Sequence, residues 1–187
     1  MLVEKGADIN ARTRFGDTPL HKAADRQGAK SSEGLAIAEL LLKHQADPNV
    51  VAQLGGTPLH RACRSNSVAM AELLLQYGAD PNAPNKFLQE SPLHEAAKEG
   101  YAPVAELLQK HGANLDARDH RGRTPLLTAA EHNRKELIAF LLNHGANVNA
   151  EDSFKSTALS EAQKKGYENI VELLRSRGAQ EKKQGQQ

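Results

Sequence analysis

Eight histidines and one cysteine are the residues of this chain best suited to chemistry. His94-Glu95-Ala96-Ala97-Lys98 begins like a zinc-binding helix, but the second histidine of H-E-x-x-H is replaced by Lys98, so the ligand pair one helical turn apart is missing. Cys63 has no second cysteine to pair with, which excludes an internal disulfide and a paired-cysteine metal motif. It stands where related segments carry a small residue, and packing suits it better than reactivity. No Gly-rich phosphate loop and no G-x-S-x-G elbow is present. The histidine spacing has a simpler source than catalysis. His21, His60 and His94 fall at one place in a recurring phrase. His44, His111 and His144 fall at another, which Tyr77 and Arg177 also occupy; it is the end of a helix, where a cation or polar ring satisfies free carbonyls. The residue pattern therefore predicts a non-enzyme with no metal and no cofactor.

The elements behind that spacing are repeats. Thr18-Pro19-Leu20-His21 recurs as Thr57-Pro58-Leu59-His60, Ser91-Pro92-Leu93-His94, Thr124-Pro125-Leu126-Leu127 and Thr157-Ala158-Leu159-Ser160, at intervals of 39, 34, 33 and 33 residues. A closing phrase recurs in step, from Gly6-Ala7-Asp8-Ile9-Asn10 to Gly145-Ala146-Asn147-Val148-Asn149. A fixed period of this size predicts a stacked solenoid. Thr or Ser caps a first helix and Pro suits its first position. Aromatics make up 4% of the chain and Trp is absent, which fits thin layers of Ala and Leu better than one large core.

These phrases resemble the ankyrin repeat, over nearly the whole chain from Met1 to about Ala179. The implied fold is all-α, an ankyrin-repeat solenoid of helix-turn-helix units with projecting β-hairpin loops. The expected units are a partial N-terminal repeat at 1–12, repeat 1 at 13–50 with a six-residue insertion near 27–34, repeat 2 at 51–83, repeat 3 at 84–117 and repeat 4 at 118–150. Repeat 5 at 151–180 is a polar C-terminal cap, and 181–187 is a disordered tail. The insertion has the composition of a loop, which places the second helix of repeat 1 at Leu35 to His44 with Ile37, Leu40, Leu41 and Leu42 as its apolar set. Gln45 replaces the glycine expected at a left-handed helix end, so that turn should be strained. Met1 opens in the middle of a helix, which reads as the start of a fragment, as a fraying end, or as an exposed layer that pairs with a second copy; a monomer is the favoured state.

What the resemblance implies for function is a binding module: adaptor, scaffold or inhibitor. Its histidines at the T-P-L-H position bond one repeat to the next. Its partner lies in a concave groove lined by hairpin tips and first helices. Carried onto this sequence, the hairpins offer Arg12, Arg14, Phe15, Asp17, Val51, Gln53, Leu54, Lys86, Phe87, Leu88, Glu90, Arg118, His120, Arg121, Arg123, Glu151, Ser153 and Phe154. The first helices add Asp25, Arg26, Arg64, Ser65, Lys98, Glu99, Glu131, His132, Lys164 and Lys165. Three of the four phenylalanines fall at hairpin tips, with Leu54 at the same place in repeat 2, which suggests a contact ridge. This set holds 11 Lys or Arg against six Asp or Glu in a chain of net charge +1, so the face reads as basic and suited to an acidic or phosphorylated peptide. Bulk charge points to neither nucleic acid nor membrane, no apolar run reaches the roughly 20 residues of a membrane helix, and an intracellular location, cytoplasmic or nuclear, is expected. Two other readings stand beside this one. The chain could be the targeting part of a longer protein with a catalytic, channel or effector domain. It could also be a substrate of an asparagine hydroxylase at Asn49, Asn82 and Asn149, positions the resemblance marks; Asp116 departs from that pattern.

Overall fold

The computed structural model describes residues 8–25 and 27–181. Arg26, the first seven residues of the expected partial repeat, and the tail after Glu181 lie outside the described residues. Among the described residues, ten helices follow in pairs: α1 (Pro19–Ala23) and α2 (Ser32–Lys43), α3 (Pro58–Arg64) and α4 (Val68–Gln76), α5 (Pro92–Glu99) and α6 (Ala102–Lys110), α7 (Pro125–Glu131) and α8 (Lys135–Asn143), α9 (Ala158–Lys165) and α10 (Glu168–Ser176). The odd-numbered helices pack on one another in one layer and the even-numbered helices in a second. Each pair contributes the same leucines to the seam. Leu20, Leu59, Leu93, Leu126 and Leu159 are sealed on the first helices, and Leu74, Leu108, Leu141 and Leu174 on the second. A leucine side chain so buried contributes about 2 kcal/mol, and alanines let the layers approach.

Each first helix starts from an extended Thr or Ser followed by an N-terminal turn. In repeats 1 to 3 the histidine ring turns back, and its Nδ1 accepts the cap residue's N–H at 3.0–3.1 Å. Nε2–H then reaches the next repeat, donating to the carbonyls of Gly56, Glu90 and Arg123 at 2.9–3.1 Å. Repeat 5 keeps only the first half of this device. Ser160 Oγ accepts the Thr157 N–H at 2.9 Å, while nothing reaches onward. Leu127 in repeat 4 does neither and is buried.

The six extra residues of repeat 1 are not all loop. α2 begins at Ser32 and runs for 12 residues, against nine in α4, α6, α8 and α10. Ser31 caps it, its Oγ accepting the Gly34 N–H at 2.9 Å. The first turn lies directly on the preceding loop. A Cβ on Gly34 would stand 2.0 Å from the Gly28 carbonyl oxygen, so glycine is what permits this crossing. Ser67 hydroxyl donates to the Ala29 carbonyl and ties the insertion to repeat 2. Ile37, expected in the core, is 44% exposed, and Ala38 is buried in its place. Ile37 instead borders an apolar depression of about 570 Å³ together with Pro19, Ala23 and Gly34.

Gln45 does sit in the left-handed region (φ 66°) where Gly78, Gly112, Gly145 and Gly178 stand in the other repeats. A side chain there meets no neighbour in those repeats, so the cost is purely conformational. Gln45→Gly is expected to raise stability by about 1 kcal/mol, read as a shift of the urea midpoint at unchanged slope; no shift, or a fall, would contradict it.

Candidate interaction surface

Each projecting loop is closed at its base by a main-chain bond, Thr13 to Asp17, Ala52 to Gly56, Asn85 to Glu90, Asp119 to Arg123 and Asp152 to Ser156, all N–H to carbonyl at 2.8–3.0 Å, and in repeats 1, 4 and 5 the N–H of Gly16, Gly122 and Lys155 returns to the base carbonyl. Their arms are too short for a strand ladder, and among the described residues the isolated antiparallel bridge is Ala52–Gly56. What makes the loops firm is the side chain at the base. Asp119 Oδ1 accepts the N–H groups of Arg121 and Arg123 at 2.8 and 2.9 Å. Asp152 Oδ1 does the same for Phe154 and Ser156, both at 2.8 Å. Thr13 and Asn85 serve hairpins 1 and 3. Repeat 2 has Ala52 at this place and lacks the side-chain brace, keeping only its main-chain bond to Gly56. The Asp119 carboxyl is pushed up by burial, but these N–H groups and the Arg123 guanidinium outweigh burial and hold it below the usual carboxylate range. None of these base residues was a candidate from sequence; a small polar residue five positions before each Thr or Ser cap is the signal that marks Thr13, Asp119 and Asp152.

The third residue of each loop forms a row: Phe15, Leu54, Phe87, Arg121, Phe154. The apolar members are 42, 72, 62 and 72% exposed, so the rings do not tuck against neighbouring loops. Main-chain bonds link the row across repeats, Gln53 N–H to the Phe15 carbonyl, His120 N–H to Leu88 and Ser153 N–H to Arg121. Arg14 lies over the Phe15 ring at 4.5 Å. Arg12, Gln53, Leu88, Lys164 and Lys165 are exposed, as expected.

The basic face is weaker than its sequence count. Arg64 grips the Glu95 carboxylate with two bonds, at 2.8 and 3.2 Å. Lys98 Nζ lies 2.7 Å from Glu90. Arg123 is shared between Asp119 and Glu131 at 3.0 and 2.6 Å. Asp17 is held by Arg61, a residue not among the candidates, with Lys22 at 3.4 Å. Glu90, Ser65 and Glu95 are buried, so the first two offer no free surface. Arg118 donates to the carbonyls of Gly122 and Glu151. His132 sits at the end of α7 with Nδ1 2.9 Å from the Thr128 carbonyl oxygen. Among the described residues of this set, Arg12, Arg14, Lys86, Arg118, Arg121, Lys164 and Lys165 have no ion-pair partner. The face therefore combines matched pairs at Arg64, Lys98 and Arg123 with unpaired cations, beneath an apolar ridge.

The three hydroxylation candidates have a structural occupation. Asn49 Nδ2 donates to the Gly78 carbonyl at 2.9 Å, and its Oδ1 accepts the Asp80 N–H at 2.8 Å. Asn82 makes the same pair with Gly112 and Asn114. Asn149 makes it with Gly178 and Gln180. Asp116 retains the acceptor half, toward Asn147. Cys63 is sealed, and burial pushes its thiol up, away from the reactive thiolate. Among the described residues no helix is long and apolar enough to cross a membrane.

A family model described as ankyrin repeats matches three times, over residues 1–85, 28–119 and 93–184, while no curated protein matches the chain. The overlapping matches coincide with the paired helices, the inter-repeat histidines and the projecting loops: the chain belongs to the ankyrin-repeat family.

Proposed function

We propose that the chain is a non-catalytic binding module that receives another polypeptide along its row of loop tips and the groove beneath them. Ankyrin repeats are generally protein–protein interaction modules. The observation that carries the reading is the row itself: four exposed apolar side chains, three of them on loops braced from their bases. A surface set in advance loses little freedom on association, and apolar or aromatic anchors of this kind supply most of an interface's energy. The partner would be a protein or peptide, with the chain as adaptor, scaffold or inhibitor, and with no membrane or nucleic acid required.

Affinity capture with the parent and with Phe15→Ala/Phe87→Ala/Arg121→Glu tests this. All three sites are exposed, so the variant should fold with parent-like circular dichroism and urea midpoint. A partner held by the parent is expected to bind the variant at least about 30-fold more weakly, the loss of one hot spot of 2 kcal/mol. Equal capture would place recognition elsewhere.

A further inference from the structure

Between the loops of repeats 2 and 3 the groove deepens into a depression of about 350 Å³, floored by α3 and α5. Its rim is apolar: Leu54, Phe87 and Leu88 are 72, 62 and 40% exposed. Its wall is charged but balanced. The lining holds three cations and three carboxylates, and four of these six form the pairs Arg64–Glu95 and Lys98–Glu90. A cationic guest would meet Lys86, Lys98 and Arg64; an anionic guest would meet Glu90, Glu95 and Glu99. Neither sign gains on entry. A neutral guest loses nothing, and the wall holds a feature that one kind of neutral guest can use. Arg64 is fixed in orientation by its two bonds to Glu95, yet its side chain remains 41% exposed. A guanidinium pinned in this way presents a flat cationic face at no further ordering cost, and an aromatic ring is what stacks on such a face.

The geometry points to an aromatic anchor: the depression receives a Trp, Tyr or Phe side chain of the bound polypeptide, its ring placed against Arg64 and covered by Phe87 and Leu54. The acidic or phosphorylated guest suggested by residue counts is disfavoured at this position by the carboxylates already there. This assignment rests on the reading of the groove as the binding face and deepens it by naming the side chain that this part of the groove selects.

The test uses N-acetyl-tryptophanamide as probe, with N-acetyl-leucinamide, N-acetyl-lysinamide and O-phosphotyrosine as comparisons, followed by amide chemical shifts of the folded chain. The expected result is a saturable shift centred on Gln53, Leu54, Asn85, Phe87 and Leu88, with a millimolar dissociation constant. The leucine amide should bind about 5-fold more weakly, since it lacks the ring face. Leu54→Ser, on an exposed rim position, should weaken the tryptophan probe by about 5-fold with the fold unchanged. Stronger binding of the lysine amide or of phosphotyrosine at these amides would overturn the aromatic assignment, as would shifts that never saturate or that centre outside the depression. The broader reading fails separately: a partner lost on Phe15→Ala/Phe87→Ala/Arg121→Glu, beside an aromatic probe that ignores the depression, refutes the anchor alone and leaves the groove standing.

Discussion

Acidification from pH 7 to pH 4 is expected to remove roughly 3 kcal/mol of folding stability through His60 alone. Burial lowers its pKa to about 4 from the ordinary 6.5, despite the compensating bond to the Glu90 carbonyl. The neutral ring is already fully engaged, with the Thr57 hydroxyl 2.9 Å from Nδ1. Nε2–H already donates to Glu90, and Nδ1 accepts the Thr57 N–H at 3.0 Å, so a proton on Nδ1 would break that cap bond and leave the Thr57 hydroxyl as its one acceptor. Glu95 and Glu90 favour the charged ring and Arg64 opposes it, and burial outweighs all of them. His21 and His94 share the arrangement and are lowered in the same direction, again chiefly by burial. Below pH 6.5 the unfolded chain takes up protons that the folded chain refuses, so stability is complete above that pH and falls until the folded histidines titrate. Glu95 and Asp119 are held below ordinary values of 4.5 and 3.8, so their contribution is lost only at lower pH, which leaves pH 6.5 to 4.5 to the histidines. Urea unfolding across that interval measures the effect, and His60→Gln, which cannot titrate, should remove its share. A parent profile flat from pH 7 to 4.5 would overturn this account.

The same three histidines show how far the sequence reaches. Their recurrence at one place in the repeat announces a repeated structural task, and the structure shows that task as bonds to the carbonyls of Gly56, Glu90 and Arg123 in the following repeat. The helix pairs, the caps, the strained Gln45 and the exposed loop tips follow from local rules of spacing and conformation, which is why they are legible in one dimension. Partnerships across repeats are different. Arg64 meets Glu95 across 31 positions and Arg61 meets Asp17 across 44, because the stacking offset decides which side chains coincide, and no period encodes that offset. One signal was available: opposite charges eight residues apart flank the first helix in repeats 3 and 4, as Glu90 with Lys98 and Arg123 with Glu131. Counting charges leaves out these pairings, which occupy Arg64, Lys98 and Arg123 and leave the other described cations of the face unpaired. Repeat 1 misled for another reason. Its insertion contains Ser, Gly and Gln, a loop composition, yet Ser31 is a cap, and Gly28 and Gly34 serve a close backbone crossing that only tertiary contact reveals.

Arg64→Met is expected to cost about 3 kcal/mol, whereas Glu95→Gln should cost only about 1 kcal/mol. The two partners of this ion pair are unequally placed. The Glu95 side chain is 5% exposed and that of Arg64 is 41% exposed. Burial pushes the Glu95 carboxyl upward, but the Arg64 guanidinium overcomes burial and keeps it below the usual value. With Arg64 gone, a carboxylate is stranded out of water with Lys98 as its remaining cationic influence, and it must either stay charged at a cost or take up a proton. Methionine keeps the aliphatic stem, so packing is largely preserved and the lost charge is what is measured. With Glu95 neutral, Arg64 is near enough to the surface to turn into solvent, and the glutamine still accepts hydrogen bonds. The lower end of the usual cost of breaking a buried pair applies because one partner is already partly wet. Arg64→Met/Glu95→Leu, which removes both charges, should recover most of the loss. Urea unfolding of the three variants at pH 7.5 decides it. If Arg64→Met costs no more than Glu95→Gln, water or Lys98 already serves the carboxylate, and Arg64 is free to move rather than fixed as a wall of the groove.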